Sequence, residues 1–194
     1  MSNSKKGRVI VIVAPSGAGK TTIAQRLLEE FPRIRFSVSA TTRPPREGEV
    51  DGRDYYFLSE EEFTRKVEKD AFLEWEHYAG NRYGTLQSEV DKLVETGYFP
   101  LLDIEVKGAL NVQRIYDSRA VSIFIKPPSL EVLEERLTKR GSETVESLRE
   151  RLQRAKLEMK YADRFDYAVI NDDLDIAYEE VKHIIEPFIT DKAE

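Results

Sequence analysis

The 194-residue sequence predicts an α/β fold, a parallel sheet flanked by helices with a small mixed subdomain inserted. Three observations predict it. Residues 8–14, RVIVIVA, form a continuous β-branched run without alternation, the pattern of a strand buried on both faces. Strand and helix patterns alternate at the beginning and end of the chain, as a parallel sheet with helices on both faces requires. Between about residues 36 and 88 the alternation breaks, and that stretch reads as the inserted subdomain.

After the first strand, residues 15–19 read as a loop and 20–31 as a helix. Ile23, Leu27 and Leu28 recur there at helical spacing until Pro32 stops it. Residues 36–39 read as a second strand. Residues 41–54, TTRPPREGEVDGRD, are polar and rich in Pro and Gly, a functional loop or an edge hairpin. Residues 55–58 read as a strand, and Ser59 then opens a helix with Glu62 at the capping-box position. Residues 72–78 set Phe72, Glu74 and Glu76 against Leu73, Trp75 and His77, the alternation of a half-buried strand. Residues 86–96 read as a helix ended by Gly97, 99–104 as a strand, 106–116 as a helix and 121–125 as a strand. Pro127 and Pro128 precede a helix capped by Ser129 and running to Arg140. After a break at 141–144, residues 146–161 read as a strongly charged helix, 167–170 as the last strand and 174–188 as the last helix.

Composition bounds the function. The length fits one domain with a small insertion. No apolar run approaches the ~18–20 residues that span a bilayer. Lys5, Lys6 and Arg8 before a short apolar run imitate a signal peptide, but the run ends in a glycine-rich loop instead of a cleavage site, and a cytoplasmic protein is expected. The absence of cysteine excludes disulfides and thiolate chemistry and argues against zinc. The two histidines, His77 and His183, are far apart in sequence and suggest no metal site. With 36 acidic against 30 basic residues, net −6, a nucleic-acid partner is disfavoured. A small anionic substrate stays open, because local arginines can outweigh the global field. The 34% charged content, without cysteine and with two methionines, fits a heat-adapted source or an ordinary charged surface.

Ala14, Pro15, Ser16, Gly17, Ala18, Gly19, Lys20 and Thr21 lie between a buried strand and a helix, the context of a Walker A loop. Its glycines let backbone N–H groups converge on phosphate oxygens, and the helix N-terminus adds the positive end of its dipole. Lys20 can reach the β- and γ-phosphates of ATP, and the Thr21 hydroxyl can ligate Mg²⁺. The strict pattern has glycine where Ala14 stands. The loop does not say whether ATP is hydrolysed or its phosphoryl group transferred.

Further motifs carry a family resemblance. Ser39-Ala40-Thr41-Thr42-Arg43-Pro44-Pro45-Arg46-Glu47-Gly48-Glu49, followed by Gly52 and Asp54-Tyr55, resembles the nucleotide-binding signature of guanylate kinases. So do Phe72-Leu73-Glu74-Trp75, Asn81-Arg82-Tyr83-Gly84-Thr85, Leu102-Asp103-Ile104-Glu105 and Arg136 with Arg140-Gly141. The likeness runs from the phosphate loop to Val169-Ile170-Asn171-Asp172-Asp173. It implies a P-loop NTPase core at about residues 1–35 and 89–194, an acceptor-binding subdomain at 36–88 and a helical lid at 136–151. It further implies transfer of a phosphoryl group from ATP to GMP with Mg²⁺, small-molecule partners, and no nucleic acid or membrane. By matching position, Ser39, Glu74 and Thr85 would read the guanine edge, with Glu105 also in the GMP site. Arg43, Arg46, Tyr55 and Tyr83 would hold the acceptor phosphate. Ser16, Gly17, Ala18, Gly19, Lys20, Thr21, Thr22 and Asn171 would bind ATP, and Thr21 and Asp103 would hold the metal. Arg136, Arg140 and Arg151 would be lid and catalytic arginines beside Lys20. This chain departs from the pattern at Glu105, where aspartate is common, at Lys107, where glutamine is usual, and at Arg82, where tyrosine is frequent.

Read as residues alone, Arg43 and Arg46 flank two prolines that stiffen the loop, so preorganised guanidinium forks suit a dianionic phosphate. The alternative is a solvated basic loop. Tyr55 and Tyr83 also read as core aromatics. Asp103 ends a buried apolar strand, where an unpaired carboxylate is costly and a magnesium-linked role has a reason. Glu105 also reads as a helix-start residue. Arg136 and Arg140, four apart, share one helix face that also reads as solvated charge. Trp75, His77 and His183 are assigned to packing or surface. Two other functions stay open: a guanylate-kinase-like binding module that holds a partner in the acceptor site, and a P-loop kinase of another phosphorylated acceptor.

Overall fold

The computed structural model describes residues 8–139 and 145–190. Strand β1 (Val9–Val13) leads through the glycine-rich turn into helix α1 (Lys20–Glu30), and β2 (Ile34–Phe36) follows. The chain then builds β3 (Ala40–Thr41), β4 (Tyr56–Phe57), α2 (Glu60–Glu68), β5 (Phe72–Tyr78) and β6 (Asn81–Leu86). It returns through α3 (Gln87–Glu95) to β7 (Phe99–Asp103), α4 (Val106–Tyr116), β8 (Ala120–Lys126), α5 (Leu130–Lys139), α6 (Val145–Glu158), β9 (Tyr167–Ile170) and α7 (Leu174–Thr190).

Five strands form a parallel sheet in the order β2-β7-β1-β8-β9. At its centre every residue of β1 is buried. Ile10 and Ile12 pack with Ile23 and Leu27 of α1 and Val181 and Ile185 of α7. Val9, Val11 and Val13 pack on the other face with Val90 of α3 and Ala109 and Val112 of α4. Helices on both faces are why the strand carries no polar alternation. The parallel register sets Ile12 beside Asp103, so both strands end at the glycine-rich turn. No described helix is long and apolar enough to cross a membrane.

The second sheet has four strands in the order β4-β3-β6-β5, with β3 parallel to β4 and antiparallel to β6. Of the strand expected at 36–39 only Phe36 is in one, as the end of β2 in the large sheet; residues 37–39 are in no strand, and β3 begins at Ala40 in the small sheet. Strand β6 was not expected at all. It follows a two-residue turn in which Ala79 and Gly80 both have positive φ, 49° and 79°, the backbone twist that favours hairpins. Alanine is an unusual residue there, and Asn81-Arg82 opens the strand without an apolar pattern. Cross-strand pairing with β5 decides the strand.

A bulge at Leu73 splits the expected alternation of β5. Phe72 pairs with Leu86 but Glu74 with Thr85, so Leu73 is the extra residue. Phe72 enters the small core with Ala40, Phe63 and Leu86, stacking on Phe63 at 4.4 Å between ring centres. Leu73 enters the large core. Two adjacent residues thereby tie the sheets together. The capping box of α2 is present with both bonds, Glu62 N–H to Ser59 Oγ at 3.1 Å and Ser59 N–H to Glu62 Oε2 at 2.8 Å. Arg82 braces the same helix, donating to the Glu60 carbonyl (2.7 Å) and Thr64 (2.9 Å) and lying over the Phe63 ring.

Candidate active site

The turn between β1 and α1 is made by glycine geometry. Gly19 has φ +96°, and a Cβ on it would lie 2.2 Å from Asn171 Nδ2. Asn171, buried at the end of β9, donates its amide to the Ala18 carbonyl at 2.8 Å and its backbone N–H to the Lys126 carbonyl at 2.8 Å. Arg136 in turn donates to the Asn171 carbonyl (2.8 Å) and the Asp172 carbonyl (3.0 Å). Asn171 and Arg136, both expected at the nucleotide, are thus seen bracing the loop from behind. Neither lines the cavity in front of it, and Ala18 is also buried.

That cavity has a volume of about 630 Å³. Ser16, Gly17, Gly19, Lys20, Thr21 and Thr22 line one side, and Arg151, Arg154 and Glu150 of α6 line another. Ala14 also lines it, where the strict pattern has glycine. Of the expected lid arginines, Arg151 lines this cavity and Arg140 lies outside the described residues. The expected lid range 136–151 is described only in part.

A second cavity of about 340 Å³ opens on the far side of Lys20, lined by Ser39, Tyr55, Glu74, Glu76, Tyr78 and Tyr83. The two cavities share Lys20, Tyr78, Asp103 and Glu105. At that junction the Lys20 ammonium is ion-paired with Asp103. Thr21, an exposed residue, follows Lys20 in the first turn of α1 and lines the larger cavity. Thr21 and Asp103 are hard oxygen donors, and among the described residues no group of three or more His, Cys, Asp or Glu could hold a metal by itself. An ion that keeps waters and takes phosphate oxygens, as Mg²⁺ does, suits that donor set.

In the second cavity Glu74 is held from two sides. The Thr85 hydroxyl donates to its Oε1 at 2.7 Å, and Gly108 of α4 leaves room for it, since a Cβ there would come within 2.6 Å of Glu74 Cγ. Burial pushes the Glu74 pKa above the usual carboxylate value, and the neighbouring Glu76 and Glu105 add to it, while the Thr85 hydroxyl opposes. Thr85, expected at the guanine edge, is 1% exposed and absent from the cavity lining, and its hydroxyl donates to Glu74, which does line it.

Arg43 lies over the faces of Tyr55 and Phe57, 5.5 and 5.7 Å from the ring centres, and Tyr55 meets Tyr83 edge-on at 6.2 Å. These tyrosines line the cavity, so they are not core aromatics. Arg46 is exposed and its side chain lines neither cavity, and its backbone N–H donates to Glu49 at 2.6 Å. Glu105 stands at the start of α4 without capping it by its side chain. Its carboxylate reaches Arg154 of α6 at 2.8 Å instead.

Sequence reasoning missed Glu76, Tyr78 and Arg154 in the lining. The signals were present. Glu76 and Tyr78 continue the two-residue step from Glu74 along β5, and Arg154 follows Arg151 by three on one helix face.

The family description that matches this chain is guanylate kinase, over residues 6–187. The guanylate kinase of Chlorobium luteolum is 50% identical over 96% of this chain and 94% of its own length. That of Salinibacter ruber is 52% identical over 94% of this chain and 97% of its own. Among solved structures, guanylate kinase from Anaplasma phagocytophilum matches with a TM-score of 0.72 and 31% identity, covering 97% of this chain and 89% of that one. The SH3-kinase fragment of tight junction protein 3 shares the fold alone, at 16% identity and a TM-score of 0.54, with 97% of this chain and 59% of that one covered. With a phosphate loop, an acceptor-side cavity and this likeness along nearly its whole length, the chain belongs to the guanylate kinase family.

Proposed function

We propose that this chain transfers the γ-phosphoryl group of ATP to GMP, giving ADP and GDP, with ATP in the larger cavity and GMP in the smaller. The observation that carries this reading is the junction: two cavities, one on a phosphate loop and one lined by polar and aromatic side chains, meet at Lys20 and Asp103. Two polyanions must be brought together there, and positioning with charge stabilisation suffices, because the acceptor phosphate is already an anionic nucleophile.

On the donor side the loop from Ser16 to Thr22 holds the phosphates, and Lys20 exchanges its partner Asp103 for them. Thr21 and Asp103 would hold Mg²⁺, which when bound would neutralise the charge that develops on the phosphoryl groups. Arg151, with Arg136 and Arg140, supplies cations over the transferring group. Domain roles follow the same division: residues 36–88 bind the acceptor, and the segment 136–151 covers the donor.

On the acceptor side Arg43, Arg46, Tyr55 and Tyr83 hold the phosphate of GMP. An ionised Glu74 accepts from guanine N1–H and the 2-amino group together, while the Ser39 hydroxyl donates to O6. Glu105 contributes from the cavity junction. Adenine presents an acceptor at N1 and no 2-amino group, so the buried carboxylate would be left unpaired. A polar site of this kind rejects the wrong base by about 10⁴-fold or more. A coupled assay with ATP and each nucleoside monophosphate tests it. Strong preference for GMP is expected, and comparable use of AMP, or no turnover at all, overturns the reading.

A further inference from the structure

We propose that Glu49 is a positioning residue for the acceptor phosphate, holding the Arg43 guanidinium and the 43–49 loop in the arrangement that receives GMP. The proposal rests on the reading above that Arg43 binds that phosphate. Both Glu49 carboxylate oxygens are engaged. Oε1 accepts from Arg43 Nη2 at 2.8 Å, and Oε2 accepts from Arg43 Nη1 at 3.0 Å and from the Arg46 backbone N–H at 2.6 Å. The Glu49 N–H closes the turn onto the Arg46 carbonyl at 3.1 Å. One side chain therefore fixes both ends of the Arg-Pro-Pro-Arg segment.

The pair is sheltered, with the Arg43 and Glu49 side chains 13% and 20% exposed. That sets it apart from the open surface pairs that contribute little. The guanidinium carries five N–H donors. The two Glu49 bonds use two of them, and the Pro44 carbonyl takes a second Nη1 hydrogen at 2.7 Å. Nε–H and one Nη2 hydrogen stay outside these three bonds, a side-on edge that suits two phosphate oxygens. The rings of Tyr55 and Phe57 fix the plane of the group, and the Tyr83 hydroxyl interacts with it.

A bare carboxylate this close to a dianion's site would repel the ligand. Here the Arg43 fork, and then the Arg46 amide, hold the Glu49 pKa below the usual carboxylate value, so it stays ionised and neutralised by its partners. The loop thus presents the charge of Arg43 in one fixed orientation.

The test separates phosphate binding from base binding. Affinities for GMP and for guanosine, which lacks the phosphate, are measured by calorimetry on the full chain, on Glu49→Gln and on Arg43→Ala. Removing the partner that orients a metal ligand costs about 10- to 100-fold, and a loss of the same order is expected for the partner of a phosphate-binding arginine. Glu49→Gln is expected to weaken GMP by that factor and to leave guanosine unchanged, bringing the two affinities together. Retained GMP affinity in Glu49→Gln, beside a loss in Arg43→Ala, overturns the proposal alone. Equal loss of GMP and guanosine in Glu49→Gln overturns it in favour of a merely structural loop contact. Native GMP affinity in Arg43→Ala overturns the assignment of Arg43 to the phosphate, and this proposal with it.

Discussion

The donor cavity takes its phosphate-facing wall from one short run of chain, Ala14 to Thr22, whereas the acceptor cavity collects its lining from residues as far apart as Ser39 and Glu105. In the proposed reaction the first works through backbone N–H groups and a helix terminus, which are preorganised as soon as the turn forms. The second works through side chains, and each needs a partner to hold it: Thr85 for Glu74, Glu49 for Arg43, and α4, through its Gly108, for the space Glu74 occupies. Damage to the two should therefore differ in kind. Donor-side changes should appear in kcat, and acceptor-side changes in the KM for GMP.

Lys20→Ala is the largest expected break in this contrast. It removes a charge placed where charge shifts in the transition state, and a loss of about 10²- to 10³-fold in kcat is expected with GMP binding retained. Steady-state kinetics beside a circular-dichroism check of folding reads both. Near-normal turnover in the folded variant would remove the phosphate-loop assignment.

Glu74→Gln sharpens the other side. It replaces one acceptor by a donor facing guanine, and hydrogen bonds to charged groups set the expected loss in kcat/KM for GMP at about 10- to 100-fold. The apparent affinity for ATP should barely change. Kinetics with each substrate varied in turn decides, and an equal loss for ATP would erase the division between the sites.

Glu74 also predicts a pH dependence. Burial raises its pKa, and only the ionised form accepts both guanine donors. As pH falls through that raised value, kcat/KM for GMP should drop by about tenfold per unit, from a midpoint above the ordinary ~4.3 of glutamate. With GMP bound the donors favour the ionised form, so kcat should hold to lower pH. The stability sign is opposite: the contribution of Glu74 is fully present below its unfolded pKa and is lost as pH rises through the folded one. Glu74→Gln should remove both effects, and an unchanged acid limb in that variant would assign it elsewhere.

Ser59→Ala is the smallest expected effect. It deletes one bond of the capping box on α2, and caps of this kind are worth about 1 kcal/mol. For a chain of this size that lowers Tm by roughly 2–4 °C. Scanning calorimetry measures the shift, and activity at 25 °C should be unaltered because α2 supports the small sheet without lining either cavity.

Legibility in the sequence follows the same contrast. The run RVIVIVA, the glycines after it and the amphipathic helix that follows state the strand, turn and helix β1–α1 almost completely, because each cause acts within about twenty residues of chain. Glu74 and Thr85 stand in motifs that the sequence displays, but that the two side chains meet is not written in either motif. A hydroxyl's partner depends on the register of β5 with β6, and the Leu73 bulge shifts that register. Behind the loop, Asn171 donates to the Ala18 carbonyl and Arg136 to the Asn171 carbonyl, and the first of these contacts joins residues more than a hundred positions apart.

What the sequence by itself determined is therefore the buried parallel strand, the phosphate loop on a helix terminus, the capped α2 and the set of charged and aromatic residues available for chemistry. Only the tertiary structure decided which of them meet. It made β6 a strand by pairing it with β5, sent Phe72 and Leu73 into different cores, turned Glu105 toward Arg154 and joined the two cavities at Lys20 and Asp103. The physical reason is range: propensity, capping and glycine geometry act between neighbours in the chain, whereas cross-strand packing and ion pairing act between residues that only folding brings together.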